Sequence, residues 1–176
     1  IWALQVDYAP PDLERIAVGV DPPQEYGPKN DECGIVAVGR DKNGHGYVLA
    51  DRSMRGSPGD WARAVYELYL ELQADEIVAE TNTGGKMVRH TILSGVRPGE
   101  PIPLIVEVKA TRGKYVRAEP IAALWAEKRF HSVGKFSKLE NEMCTYVPGV
   151  SKRSPNRLDA KVWAASRLFP SARVAA

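Results

Sequence analysis

Three carboxylates carry the chemistry this sequence can do: Asp21 in "IAVGVDPP", Glu80 in "ADEIVAE" and Asp159 in "SPNRLDAKVWAA". Asp21 and Glu80 each close a short run of Ile, Val and Ala, the composition of a strand buried on both faces. Pro22 and Pro23 cannot donate to a ladder and hold Asp21 out of helical geometry, so the first strand stops there. Alone, an Asp-Pro after a strand reads as a turn. A second strand-end acid changes that reading, because neighbouring strands lie about 4.8 Å apart and their terminal carboxylates can converge. Two carboxylates that close repel unless a proton or a cation stands between them. A hard divalent ion such as Mg²⁺, which takes oxygen ligands and keeps several waters, suits the pair. Asp159, in the opening turns of the last helix, is a third candidate; read alone, it is equally an acid favoured by the helix dipole.

The elements that must position these residues are legible in order. After the strand ending at Asp21, "CGIVAVGRD" and "GYVLADRS" read as two more strands joined by "KNGHG", a glycine-containing hairpin turn. "SPGDWARAVYELYLELQ" opens a helix with Ser57 as N-cap, Pro58 at the first position and Asp60 closing a capping box. The Glu80 strand follows. "TNTGGKMVRHTILSG" is a glycine turn into an amphipathic helix, and "PLIVEVKA" is a fifth strand. "KYVRAEPIAALWAEKR", "KFSKLENEMCTY" and "SPNRLDAKVWAASRLF" are three more helices, the last with Ser154 as N-cap and Pro155 at the first position. A right-handed crossover through the first helix lays the Glu80 strand parallel to the Asp21 strand. The expected sheet order is 3-2-1-4-5, with strand 2 antiparallel and strands 1, 4 and 5 parallel. In it, Asp21 and Glu80 end adjacent strands.

The chain has 176 residues, 44% of them hydrophobic, enough for one domain with a core. No apolar run approaches the roughly 20 residues of a membrane helix, so no membrane role is expected. Cys33 and Cys144 lack ligand-like spacing to the three histidines, which argues against a structural zinc site and for reduced thiols. The net charge of +2 conceals an asymmetry: residues 1–88 hold 8 Lys/Arg against 15 Asp/Glu, and residues 89–176 hold 16 against 7. An acidic site beside a basic face suits a polyanionic substrate; two complementary solvated surfaces would look the same.

Strand-end Asp, strand-end Glu and late-helix Asp is the acidic pattern of the RNase H-like nuclease and integrase fold. Two metal ions about 3.5–4 Å apart can activate water and stabilise the leaving oxygen of a phosphodiester. From about Ile16 to Leu168 the sequence also resembles the C-terminal nuclease domain of phage, prophage or gene-transfer-agent terminase large subunits. The resemblance rests on "VGVDPP", "GIVAVGRD", "GHGYVLADRS", "SPGDWARAV", "ADEIVAETNTGG", "TRGKYVRAEPIAALW", "MCTYVPG" and "SPNRLDAKVWA" in that order. It implies a metal-dependent DNA endonuclease acting on concatemeric DNA during packaging. It places the catalytic and metal-binding acids at Asp21, Glu80 and Asp159, with two Mg²⁺ or Mn²⁺ ions. The implied partners are double-stranded DNA, a terminase ATPase domain, the small terminase subunit and the portal protein, in the cytoplasm of a bacterial host cell.

The ATPase motor of such proteins is absent here: "VGKFS" and "TGGKM" lack phosphate-loop spacing. The chain opens on Ile1, so it is expected to be a piece of a longer protein. Residues 1–15 are read as a linker from that upstream ATPase domain, 16–170 as the nuclease domain and 171–176 as a tail. Two other functions fit the same residues: another RNase H-like nuclease such as a junction resolvase, or a non-cleaving docking module of the packaging machine.

The basic run "KATRGKYVRAE" follows the fifth strand on the same sheet edge as the acids. Arg112, Lys114 and Arg117 are read as phosphate contacts, with Lys152 and Arg153 as a weaker pair; a solvated loop is the alternative. Asp51 either supports the acidic centre from outside or orders the loop after its strand. Asn82 is a possible substrate contact. His45 is read as surface, and His90 and His131 as structural or solvent-facing. Trp61, Trp125 and Trp163 are read as core.

Overall fold

The computed structural model describes residues 4–23, 32–82, 85–109, 114–147, 150–151 and 154–170, without the side chains of 114–116. A mixed seven-stranded sheet runs β1-β7-β4-β3-β2-β5-β6. Its strands are β1 (Gln5–Val6), β2 (Arg15–Asp21), β3 (Gly34–Arg40), β4 (Gly46–Asp51), β5 (Glu76–Glu80), β6 (Ile105–Val108) and β7 (Phe130–Val133). Strands β2, β3 and β4 form the expected antiparallel meander, and β5 and β6 add in parallel beside β2. The five expected strands therefore keep their order 3-2-1-4-5. The sheet is wider than the expected five: β7 adds parallel to β4, and β1 adds parallel to β7. Part of the segment read as a linker is thus an edge strand. A two-residue strand and a four-residue strand that pair only with distant segments leave no hairpin signature in the sequence.

Side-chain parity assigns each strand's two faces, because successive residues point to opposite sides. Ala17, Val36, Val38, Val48 and Val78 share one apolar cluster with Ala160, Trp163 and Ala164 of α5 (Asn156–Leu168). Val18, Val20, Ile35, Ala37, Ile77 and Ala79 share the other with Trp61, Val65 and Leu68 of α1 (Pro58–Glu71). Helix α2 (Lys86–Ser94) joins α1 on that second face through Val88 and Ile92. Helices α3 (Lys114–Ala126) and α4 (Ser137–Thr145) pack against α5. The capping box of α1 forms as expected, Ser57 Oγ accepting from the Asp60 N–H while Asp60 accepts from the Ser57 N–H, an arrangement worth about 1 kcal/mol. Helix α5 begins one residue later than expected, with Pro155 at the N-cap and no side-chain cap of its own.

Two glycines decide how α5 sits. A Cβ on Gly19 would stand 1.9 Å from the Ala160 carbonyl oxygen, and one on Gly34 would stand 2.0 Å from that of Asn156. Both positions face α5 by parity, so the bare strand backbone lets the helix backbone press directly onto β2 and β3. Helix α5 therefore starts over the carboxyl end of β2 and runs back along the sheet.

Candidate active site

Asp21 is the last residue of β2, 7% exposed and in register with Gly34. Its odd-numbered position puts its side chain on the α5 face, with Ala17. Glu80, half-buried at the end of β5, shares that face by the same parity with Val78. Strands β2 and β5 pair in parallel through Val20 and Ala79, the residues immediately before the two acids. Both strand-end carboxylates therefore leave adjacent strands at the same level, on the same side.

Asp159 reaches this corner from above. Asn156 and Ala160 face the sheet, so the residues between them divide to the two flanks of α5. Arg157 and Asp159, two positions apart, are separated by about 200° around the axis. Arg157 turns toward β4, where its guanidinium meets both Asp51 oxygens at 2.8 and 2.9 Å. Asp159 consequently lies on the β5 flank, the side of Glu80, and is 5% exposed. Strand register and the seating of α5 thus put the three expected acids at the same end of one sheet face. They do not close around a common point: among the described residues, no group of three His, Cys, Asp or Glu is set to hold a metal ion.

Arg157, at the start of α5, carries a buried ion-pair network that the sequence did not announce. Its side chain is 4% exposed and touches Asp51 of β4, Glu32 just before β3, and Glu142 of α4. Glu142 also accepts the Leu158 N–H at 3.0 Å, capping α5 from a neighbouring helix because Pro155 cannot. Burial pushes the Glu142 carboxyl up, while that N–H and Arg157 draw it back down. Three segments, the end of β4, the residues before β3 and α4, are thereby clamped around the first turn of α5. Asp51 also accepts the Ser53 N–H at 3.0 Å and so orders the loop after β4. A bulge in the β3–β4 pairing, which skips Leu49, returns Asp51 to the α5 face.

Behind the acids, α5 is buried nearly all round. Lys161 is fully buried, its Nζ 4.7 Å from the Trp125 ring centre, 5.1 Å from that of Phe130 and 3.5 Å from Met143 Sδ. Burial lowers its pKa from 10.5 to about 7. The Cys33 thiol is pushed well above its ordinary range, first by burial and then by the negative charge of Asp21. It is inert as a nucleophile.

Of the basic residues, Arg117 lies on α3 with its guanidinium 4.2 Å above the Trp163 ring. Arg112, Lys152 and Arg153 lie outside the described residues, as do the Lys114 side chain and the tail 171–176. Asn82 is exposed in the turn after β5. Trp61, Trp125 and Trp163 are core, as expected. His45, expected at the surface, is half-buried: its Nδ1 stands 3.1 Å from His131 Nε2, linking the β3–β4 turn to β7, a structural use that fits the expectation for His131.

Residues 18–168 match the family described as the terminase RNaseH-like domain. The chain belongs to this family. Solved structures agree in fold. The large terminase nuclease of thermophilic phage G20c with bound zinc is similar at a TM-score of 0.66 and 15% identity, over 92% of this chain and 84% of that one. The nuclease domain of the large terminase subunit gp2 of bacterial virus Sf6 gives 0.61 and 15%, over 88% and 89%. The yeast mitochondrial Holliday junction resolvase gives 0.55 and 10%, over 94% and 82%. No curated protein matches the chain. The terminase resemblance and the RNase H-like architecture read from the sequence both hold, with no helix of the described residues long and apolar enough to cross a membrane.

Proposed function

We propose that this chain is the DNA-cutting domain of a terminase large subunit, a divalent-metal-dependent endonuclease with Asp21, Glu80 and Asp159 as its ligands. One observation supports the reading: two carboxylates end adjacent parallel strands on the α5 face, and a third lies in the first turn of the helix seated on that face. The donor set fits the ion, since carboxylate oxygens are the ligands that Mg²⁺ and Mn²⁺ prefer. The zinc in the G20c neighbour supports divalent chemistry on this fold. When bound there, divalent ions supply a water of lowered pKa and neutralise charge on the departing oxygen. Asp21 and Glu80, anchored by strands, set the fixed side of the site. Asp159 sets the other side through the seating of α5, and Arg157 holds that seating.

DNA enters by its backbone, and Arg112, Lys114, Arg117, Lys152 and Arg153 supply sequence-independent affinity. The ATPase domain, small subunit and portal are the partners, in the cytoplasm of a bacterial host. Supercoiled plasmid incubated with the chain in Mg²⁺, Mn²⁺ or EDTA tests the activity: nicking or linearisation in the metals, and none in EDTA, is the expected result. The resolvase likeness makes branched DNA the necessary second substrate. A strong preference for a four-way junction over plasmid would replace the packaging assignment. No cleavage of either would leave the docking module.

A further inference from the structure

A cavity of about 470 Å³ opens on the far flank of α5 from Asp159, between the start of α5, α4 and the residues flanking β3 and β4. Asn156 forms part of its wall, and the Asn156 carbonyl is the group seated on Gly34, the register partner of Asp21. The cavity therefore begins about one strand spacing from the acidic corner, along the same rim of the sheet. Its charges are unevenly engaged. The two acids in its wall, Glu32 and Glu142, are both held by Arg157. Arg55 and Lys138, also in the wall, are exposed and have no carboxylate partner among the described residues. The half-buried Tyr146 and the exposed Asn141 add to the lining a flat ring and an amide with no side-chain partner among the described residues.

We infer that this cavity holds the DNA strand beside the cleaved bond, a backbone phosphate on Arg55 and Lys138 with its deoxyribose against Tyr146. Two cations, a planar face and a polar amide match one nucleotide unit of a backbone, and contact to phosphate and sugar requires no unpairing of bases. The assignment rests on the nuclease reading, and it adds a DNA contact distinct from the basic residues proposed above. Arg157 contributes differently, by neutralising the two wall acids, which would otherwise repel the strand.

The test is fluorescence anisotropy of a labelled duplex in Ca²⁺ across a salt series, with the wild-type chain and the Arg55→Ala/Lys138→Ala double variant. Melting temperature and plasmid cleavage are measured in parallel. Each lost phosphate contact lowers the slope of log affinity against log salt by about 0.9, and because Arg55 and Lys138 share one phosphate the double variant should lose about 0.9. Tyr146→Ala should weaken binding with the slope unchanged, and both variants should melt as wild type does. If wild type binds and cuts while the double variant keeps its affinity and slope, the cavity assignment falls and the nuclease reading stands. If wild type shows no affinity for DNA, both fall.

Discussion

Gly34→Ala tests the seating that brings Asp159 to the strand ends. The added methyl would lie 2.0 Å from the Asn156 carbonyl oxygen and 2.6 Å from its carbon, against 3.4 Å or more for ordinary contact. Both are backbone atoms, so no side chain can swing aside. The first turn of α5 must lift by about 1 Å, a form of overpacking that costs about 1–3 kcal/mol. For a domain of this size the melting temperature should fall by about 2–12 °C. Asp159 is three residues from the displaced carbonyl and moves with it. A shift near 1 Å in a catalytic group costs about 10²-fold in rate. The assay is calorimetric melting together with Mn²⁺-dependent plasmid nicking, read well below the variant's transition. Gly59→Ala, in α1, is the control: its methyl would find nothing closer than Ser57 Oγ at 3.9 Å. It should keep full activity and gain about 0.5–1 kcal/mol from helix propensity. A Gly34→Ala protein that melts and cuts like wild type would refute the close seating. One that melts lower yet cuts at the wild-type rate would show that the first turn of α5 does not set the site.

Arg157→Ala should cost about 3–5 kcal/mol in urea unfolding, because the buried Asp51 loses the cation that compensates it. Arg52→Ala, which breaks an ion pair half-exposed on both sides, should cost at most about 1 kcal/mol. Lys161 has a folded-state pKa of about 7 against an ordinary 10.5, so between those values the unfolded chain binds a proton that the folded chain releases. Stability measured in EDTA should therefore rise from pH 7 toward 10. Attraction of the ammonium to two ring faces opposes this, leaving a net gain of about 1–3 kcal/mol. Lys161→Met should remove that rise, and an unchanged slope would contradict it. The His131 imidazolium is disfavoured, first by burial and then by His45, so the fold should lose stability as pH drops through 6.5. His131→Gln should blunt that loss in acid melts.

The sequence shows what local patterning encodes and hides what distant packing decides. The meander, the capped α1 and the strand ends at Asp21 and Glu80 are visible because apolar runs, prolines and capping residues sit side by side in the chain. Asp159 is ambiguous from its own surroundings, since an acid in a first helical turn has a local explanation. Only the seating of α5 on two glycines gives it a direction. Gly19 and Gly34 carried that signal as small residues inside buried strands, where a side chain would normally add packing. Arg157 was hidden for another reason: its three carboxylate partners come from three separate stretches, the farthest 125 residues away. His45 and His131 meet only because β7 adds beside β4, a parallel pairing that no turn announces.

Asp21, Glu80 and Asp159 are proposed to hold the ions that cut DNA. The most direct test is Mn²⁺ binding by calorimetry, paired with plasmid cleavage, for Asp21→Asn, Glu80→Gln and Asp159→Asn. Glu107→Gln serves as control, an exposed carboxylate one strand away on the opposite face by parity with Ile105. Each of the three should lose both Mn²⁺ affinity and cleavage while keeping its melting transition, and Glu107→Gln should lose neither. Wild-type Mn²⁺ binding and cleavage in any one of the three would remove that residue from the site, and in all three would contradict the account.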